Sequence, residues 1–150
     1  NNNGRYLFRR NSDNNIATVL PTADSESLRF VLKRRANGKY EMWNKATATS
    51  ASQSVRVVTI RERVEGGNSW WARLFPVYRY VDYFKALYNT SPNERDFLFD
   101  FSAQGDAVYS ITNLSKGSLN ENSSNIITTG ATQLFRLETS FDVDGFQSRR

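Results

Sequence analysis

Three pairs of carboxylates lie close together in this chain: Glu62 and Glu65, Asp100 and Asp106, and Asp142 and Asp144. Two carboxyls facing each other across a cleft can hydrolyse a glycosidic bond, one serving as acid and the other as base or nucleophile. Sequence alone brings none of these pairs across a cleft. The run Asp142-Val143-Asp144-Gly145 matches the opening of a calcium loop, but it lacks the further oxygen ligands and the closing Glu, so it reads as a surface turn. The chain has no His and no Cys. That removes Ser/His and Cys/His catalytic pairs, thiolate nucleophiles, Cys/His zinc sites and disulfides. No catalytic residue, metal ligand or cofactor is expected, and the protein is not read as an enzyme.

Binding chemistry is better represented. Trp43 is followed by Asn44, and Trp70 stands two residues after Asn68. Each pairs a flat apolar ring with an amide, which suits the apolar face and the hydroxyls of a sugar. A longer aromatic run holds Trp70, Trp71, Phe75, Tyr78, Tyr80, Tyr83, Phe84 and Tyr88, interleaved with Arg73, Arg79 and Lys85. Such a mixture can stack on sugars or bases or anchor a protein interface, although about half the rings of alternating strands must point into a core. The segment 70–88 is therefore also a candidate surface for self-assembly.

The formal charge of +5 biases the surface towards anionic partners. Its Lys and Arg residues are scattered among acids, with small clusters at Arg9-Arg10, Lys33-Arg34-Arg35 and Arg149-Arg150. No helix-turn-helix, zinc-finger or RNP-like pattern accompanies them, so nucleic acid is not an expected partner. No apolar run approaches the roughly 18 to 20 residues of a membrane-spanning helix. A chain of 150 residues with 39% hydrophobic residues is expected to fold as one domain over 1–150, with flexible ends at 1–4 and 146–150. The first residue is not Met, which suggests a processed or excised product. An extracellular, cell-surface or virion location is favoured, with the compartment left open. Three acceptor sequons, at Asn89, Asn113 and Asn122, are expected in exposed loops.

The elements that must position these residues are strands. Period-two alternation or β-branched enrichment marks 6–10, 16–20, 28–33, 39–44, 54–64 and 70–81, then FLFDF, AVYSITN, NIITTG and QLFRLET, with FDVDGF as the last. Ala36-Asn37-Gly38-Lys39 predicts a hairpin turn, and Gly66-Gly67-Asn68 predicts the bend of a long hairpin joining 55–64 to 70–80. The segment DYFKALYN can be read as a helix near 80–88. The fold class is all-β.

A repeat organises the strands. Tyr109, Ile111 and Asn113 precede a polar turn, and Phe135 follows about 26 residues after Tyr109. Tyr6, Phe8 and Asn11 with Phe30 form a similar set, and Tyr40, Met42 and Asn44 start a third, with Trp71 and Phe75 as its distant partner. With TQLFRLE at 132–138 as a closing strand, these residues resemble the β-trefoil, and within it the ricin-B-like carbohydrate-binding domains. The resemblance covers about half the chain. It lacks the Gln-x-Trp of that family and carries about 30 surplus residues in the middle unit. It implies a single β-trefoil-like barrel and a lectin-like module for a glycan or glycoprotein. The Asp that grips sugar hydroxyls in such repeats is represented by Asp13, with Asn113 as the repeat amide. The alternative is a two-sheet β-sandwich or jelly roll serving as a structural subunit of a capsid, spike or surface assembly.

Overall fold

The computed structural model describes residues 4–20, 26–45, 55–65, 70–75, 78–87 and 93–138. Strands dominate them. In chain order they are β1 (Tyr6–Arg9), β2 (Ile16–Val19), β3 (Phe30–Arg34), β4 (Tyr40–Asn44), β5 (Val55–Glu65), β6 (Tyr78–Leu87), β7 (Phe99–Gly105), β8 (Val108–Asn113), β9 (Gly117–Glu121), β10 (Ile127–Thr129) and β11 (Leu134–Arg136). One short helix, α1 (Trp70–Leu74), lies between β5 and β6, and 3-10 turns at Glu26–Leu28 and Glu94–Phe97 lead into β3 and β7.

A nine-stranded antiparallel sheet runs β10-β9-β8-β7-β4-β5-β6, with β3 on β4 and β11 on β8. It curls into a nearly closed barrel. The remaining hairpin, β1–β2, bridges the two ends of that path: Asn15 pairs with Lys85 of β6, and Ala17 pairs with Ile126 beside β10. Ala86 N–H donates to the Asn14 carbonyl at 3.0 Å and Thr18 N–H to the Asn125 carbonyl at 2.9 Å. Edge groups that would otherwise stay unpaired are thereby satisfied.

One hairpin occurs three times, as β1–β2, β5–β6 and β9–β10. Ile16 stands opposite Arg9, Phe84 opposite Thr59 and Ile127 opposite Glu121. Two residues before those partners come Leu7, Val57 and Leu119, and all six apolar side chains join one core cluster. Two of the three hairpins close in tight turns containing an Asn at positive φ, Asn14 at 64° and Asn125 at 63°. Asn tolerates that left-handed conformation better than most residues because its short amide bonds locally.

A second hairpin type occurs twice, as β3–β4 and β7–β8. Phe30 and Phe99, Tyr40 and Tyr109, Met42 and Ile111, and Asn44 and Asn113 are all separated by the same number of residues. The turns match too, with Gly38 at φ 82° and Ala107 at φ 57°. Phe99, Met42, Ile111 and Phe135 fill the barrel, with Phe30 packed against them. Burying each such side chain contributes about 1.5 to 3 kcal/mol.

Several expectations change. Residues 78–87 are one strand, so the helix expected near 80–88 is absent: Val57, Thr59 and Ile60 of β5 hold Ala86, Phe84 and Tyr83 in ladder register. The helix sits earlier, at 70–74, where a strand was expected. The long hairpin therefore joins 55–65 to 78–87. The expected bend at Gly66-Gly67-Asn68 and the last strand, FDVDGF, lie outside the described residues. Tyr40 pairs across the sheet with Phe99, not with Trp71 or Phe75, whereas Tyr109 does pair with Phe135. Tyr6 belongs to the other hairpin type, because β1 plays the part of β5 and β9. β9 lies in a stretch read as a polar turn.

Candidate functional site

The six residues with a predicted binding role separate into distinct environments. Asn113 ends β8 and is buried. Its Nδ2 donates to the carbonyls of Asp96 at 3.1 Å and Leu98 at 3.4 Å, while its Oδ1 accepts from the N–H of Ser115 and Lys116. Asn44, its counterpart on β4, is also fully buried and donates to the Ser27 carbonyl at 2.9 Å. Both donor bonds span 17 residues and tie a strand end to the 3-10 turn that opens the hairpin. These amides organise backbone; they offer nothing to a ligand. The sequon at Asn113 is correspondingly interior, because the side-chain nitrogen that would carry a glycan is already bonded inside the barrel.

Asp13 is half-exposed but occupied. Its carboxylate accepts two bonds from Arg10, the shorter at 2.6 Å, and two more from the N–H and Nδ2 of Asn15. The hydrogen bonds from Arg10 hold its carboxyl below the usual range despite partial burial. Lys85 donates to the Asp13 carbonyl at 3.0 Å, which pins the β1–β2 turn onto β6. Asp13 is therefore a turn-forming residue that locks two hairpins together.

Trp43 is half-buried on β4, and both its ring and its N–H are engaged. The indole Nε1 donates to Glu41 at 2.8 Å, Lys33 Nζ lies 4.1 Å from the ring centroid, and the Arg56 guanidinium lies 5.4 Å from it. Glu41 is the hub, accepting also from Arg35 at 2.6 Å and Arg56 at 3.2 Å. Burial pushes the Glu41 carboxyl up, yet the bonds from Trp43, Arg35 and Arg56 outweigh it and hold the group below its ordinary value. Arg56 in turn stacks on Phe97 at 3.6 Å. A sugar would have to displace Lys33 to reach this ring.

Trp70 differs from the others. It opens α1 and is 64% exposed. Asn68, its expected partner, lies outside the described residues. Leu74, Phe75, Tyr78 and Tyr80 are also exposed, Phe75 at 65% and Tyr80 at 64%, and all belong to the outer half of the β5–β6 hairpin. The face that carries Val57, Thr59, Phe84 and Ala86 into the core continues outward as Arg61 opposite Asp82 and Arg63 opposite Tyr80, with Tyr78 next beyond. Side chains alternate along a strand, so these residues share a side. The Arg61–Asp82 ion pair, 3.1 Å, marks where the face leaves the barrel. Beyond it the Arg63 guanidinium lies 4.3 Å from the Tyr78 ring centroid. The hairpin is an arm whose base is core and whose outer half is Arg/Tyr surface.

The crowding of aromatics at 70–88 was legible in the sequence; the division of that crowd was not. Tyr83 and Phe84 turn inward or half inward, while Tyr78 and Tyr80 stay out. The usable signal was the surplus length of this hairpin over its two counterparts. Among the described carboxylates of the expected pairs, Glu62 faces Lys85 at 3.3 Å and Asp100 faces Lys39 at 3.4 Å. No group of three or more acidic residues that could hold a metal ion occurs among the described residues. Asp142 and Asp144 lie outside them. No helix of the described residues is long and apolar enough to cross a membrane. Set against family models, curated proteins and solved structures, the chain has no match.

Proposed function

We propose that this chain is a non-catalytic recognition module in which a β-trefoil-like barrel is the scaffold and the β5–β6 arm carries the binding surface, with a glycan as its ligand. The observation that carries this reading is the exposure of Trp70, Phe75, Tyr78 and Tyr80 on one arm, while Trp43, Asn44, Asn113 and Asp13 are engaged inside the fold. Support for the trefoil comes from the threefold recurrence of Leu7–Ile16, Val57–Phe84 and Leu119–Ile127 in equivalent hairpins. An exposed ring stacks on the C–H face of a sugar at modest energy per site, so useful affinity comes from several copies acting together. The test is a glycan array probed with the unaltered protein and with Trp70→Ala and Tyr80→Ala. Retention of a glycan that both variants lose, with unchanged thermal melts, supports the reading; retention of none overturns it.

Leu74 and Phe75 favour a second reading, a structural subunit of a capsid, spike or surface assembly. An exposed aliphatic and an exposed phenyl ring carry no polar handle for hydroxyls and suit a protein interface. Sedimentation separates the two. A subunit that buries its arm self-associates as concentration rises, whereas a glycan-binding module stays at one mass.

A further inference from the structure

The geometry of the arm points to an anionic glycan, one bearing carboxylate or sulfate groups, as the ligand; this inference rests on the recognition reading above and names the chemistry of that same site. It starts from where charge is cancelled along the arm. Near the barrel each base has an acid: Arg61 pairs with Asp82, and Lys85 with Glu62. Farther out, Arg63, Arg73 and Arg79 are exposed and none makes an ion pair among the described residues. The outer arm thus presents cations, interleaved with rings, that no described side chain compensates, and an anionic partner can neutralise them.

Arg63 is the most specific of the three. It stands directly opposite Tyr80, and its guanidinium lies over Tyr78, so two tyrosines flank it on one face of a paired β-ladder. Stacking on Tyr78 covers one side of the guanidinium plane and leaves the N–H edges for a ligand. Those edges form a fork that matches the two oxygens of a carboxylate or sulfate, which a Lys would meet only as a point charge. Tyr80 offers a ring two residues from Tyr78 on the same side, where a sugar face can lie while its acidic group is held by Arg63. The strands fix the backbone of both groups before binding, and the Tyr78 ring holds the Arg63 guanidinium, which lowers the ordering cost of capture. A symmetric contact of arm against arm fits this surface poorly, since it would bring arginine against arginine.

The experiment compares matched oligosaccharides, neutral and sulfated or uronate-bearing, by calorimetric titration of the full chain near physiological salt. Preference for the acidic member by tenfold or more is expected, with Arg63→Gln and Tyr80→Ala each lowering its affinity about tenfold. Arg34→Gln, which removes the same charge from an exposed position on β3, should stay within about twofold. Equal affinity for neutral and acidic members overturns the inference while leaving glycan recognition standing. Binding to neither overturns both. An equal loss in Arg34→Gln and Arg63→Gln assigns the binding to overall charge and overturns the site, as does capture of anionic vesicles in place of the oligosaccharide.

Discussion

The hairpins β9–β10 and β5–β6 start alike and end differently. Both place an apolar pair in the core, Leu119 with Ile127 and Val57 with Phe84. The β9–β10 hairpin then turns at once: Asn122 Oδ1 accepts from the N–H of Ser124 and Ile126, and Asn125 takes the left-handed conformation. The β5–β6 hairpin continues through further ladder pairs to Glu65 and Tyr78, with α1 in its connection. What the barrel requires is complete by Thr59 and Phe84. Farther out on that face the side chains change from apolar to Arg61, Asp82, Arg63, Tyr80 and Tyr78, while Val64 and Val81 on the opposite face stay half-buried. Scaffold and surface are therefore separable within a single strand.

The largest expected effect tests that separation directly. Phe84 is fully buried and tilts against Phe99 with ring centroids 5.9 Å apart, while Tyr80 is on the same strand and the same side but 64% exposed. Phe84→Ala should cost about 3 to 5 kcal/mol in urea unfolding, enough to unfold a marginal domain. Tyr80→Ala should stay within about 0.5 kcal/mol. Comparable losses from the two would mean that the arm is packed against something and is no free surface.

Next in size are the buried amides that the second hairpin type uses twice. Removing Asn113 leaves the Asp96 carbonyl and the half-buried N–H groups of Ser115 and Lys116 without this partner, while the Leu98 carbonyl keeps the Leu114 N–H at 3.1 Å. A cost of about 1 to 3 kcal/mol is expected for Asn113→Ala, and no change in ligand affinity beyond what unfolding explains. A folded Asn113→Ala protein that has lost binding would return this residue to the site.

These two hairpins also show what could be read in advance. Alternation located most of the strands, and the Asn37-Gly38 turn was readable because few residues other than Gly adopt φ 82°. The recurrence of Tyr40, Met42, Asn44 and Tyr109, Ile111, Asn113 was visible, but its meaning was inverted. An amide at the end of a repeat looked like a sugar ligand and is instead the clamp on the preceding 3-10 turn, because sequence does not report burial. The segment 80–88 misled for a related reason. Its apolar residues fit a helical face, yet pairing with β5 decides the outcome, and long-range pairing leaves no local mark. Among the described residues of the predicted site, Trp70 is the one classed as exposed; the Arg63–Tyr78–Tyr80 row could not be seen until the register put Arg63 opposite Tyr80.

A smaller effect concerns pH, and it belongs to the barrel alone. Glu41 and Asp13 have folded-state pKa values held below their ordinary 4.5 and 3.8. A carboxyl depressed in the folded state favours folding above its unfolded value and loses that contribution as pH falls through the folded value. Stability should therefore decline from about pH 4.5 downward, and Glu41→Gln should flatten that slope while lowering stability at pH 7. An Arg63→Gln protein should keep the parent's acid profile. A profile unchanged by Glu41→Gln would show that the Trp43 cluster contributes no acid sensitivity.

A small change in stability is expected from the largest change in sequence. Residues 61–81 replaced by a short Asn-Gly turn would convert β5–β6 into a likeness of β9–β10, keeping Val57, Thr59, Phe84 and Ala86 and removing Arg63, Tyr78, Tyr80 and α1. The Arg61–Asp82 and Glu62–Lys85 pairs are lost as well; each has one exposed member, and such pairs contribute about 0 to 1 kcal/mol. Shortening the connection lowers the entropy of closing the hairpin, which offsets part of that loss, since each halving of a loop gains only about 0.6 kcal/mol. The shortened protein should unfold within about 1 kcal/mol of the parent and bind no glycan. Its circular dichroism should keep the β signature, because every barrel strand except the outer halves of β5 and β6 is untouched. Loss of the fold on shortening would show that α1 and the outer ladder brace the barrel. In that case the contrast between the two hairpins would be one of structure, and the surplus length of the arm would need a reason other than binding.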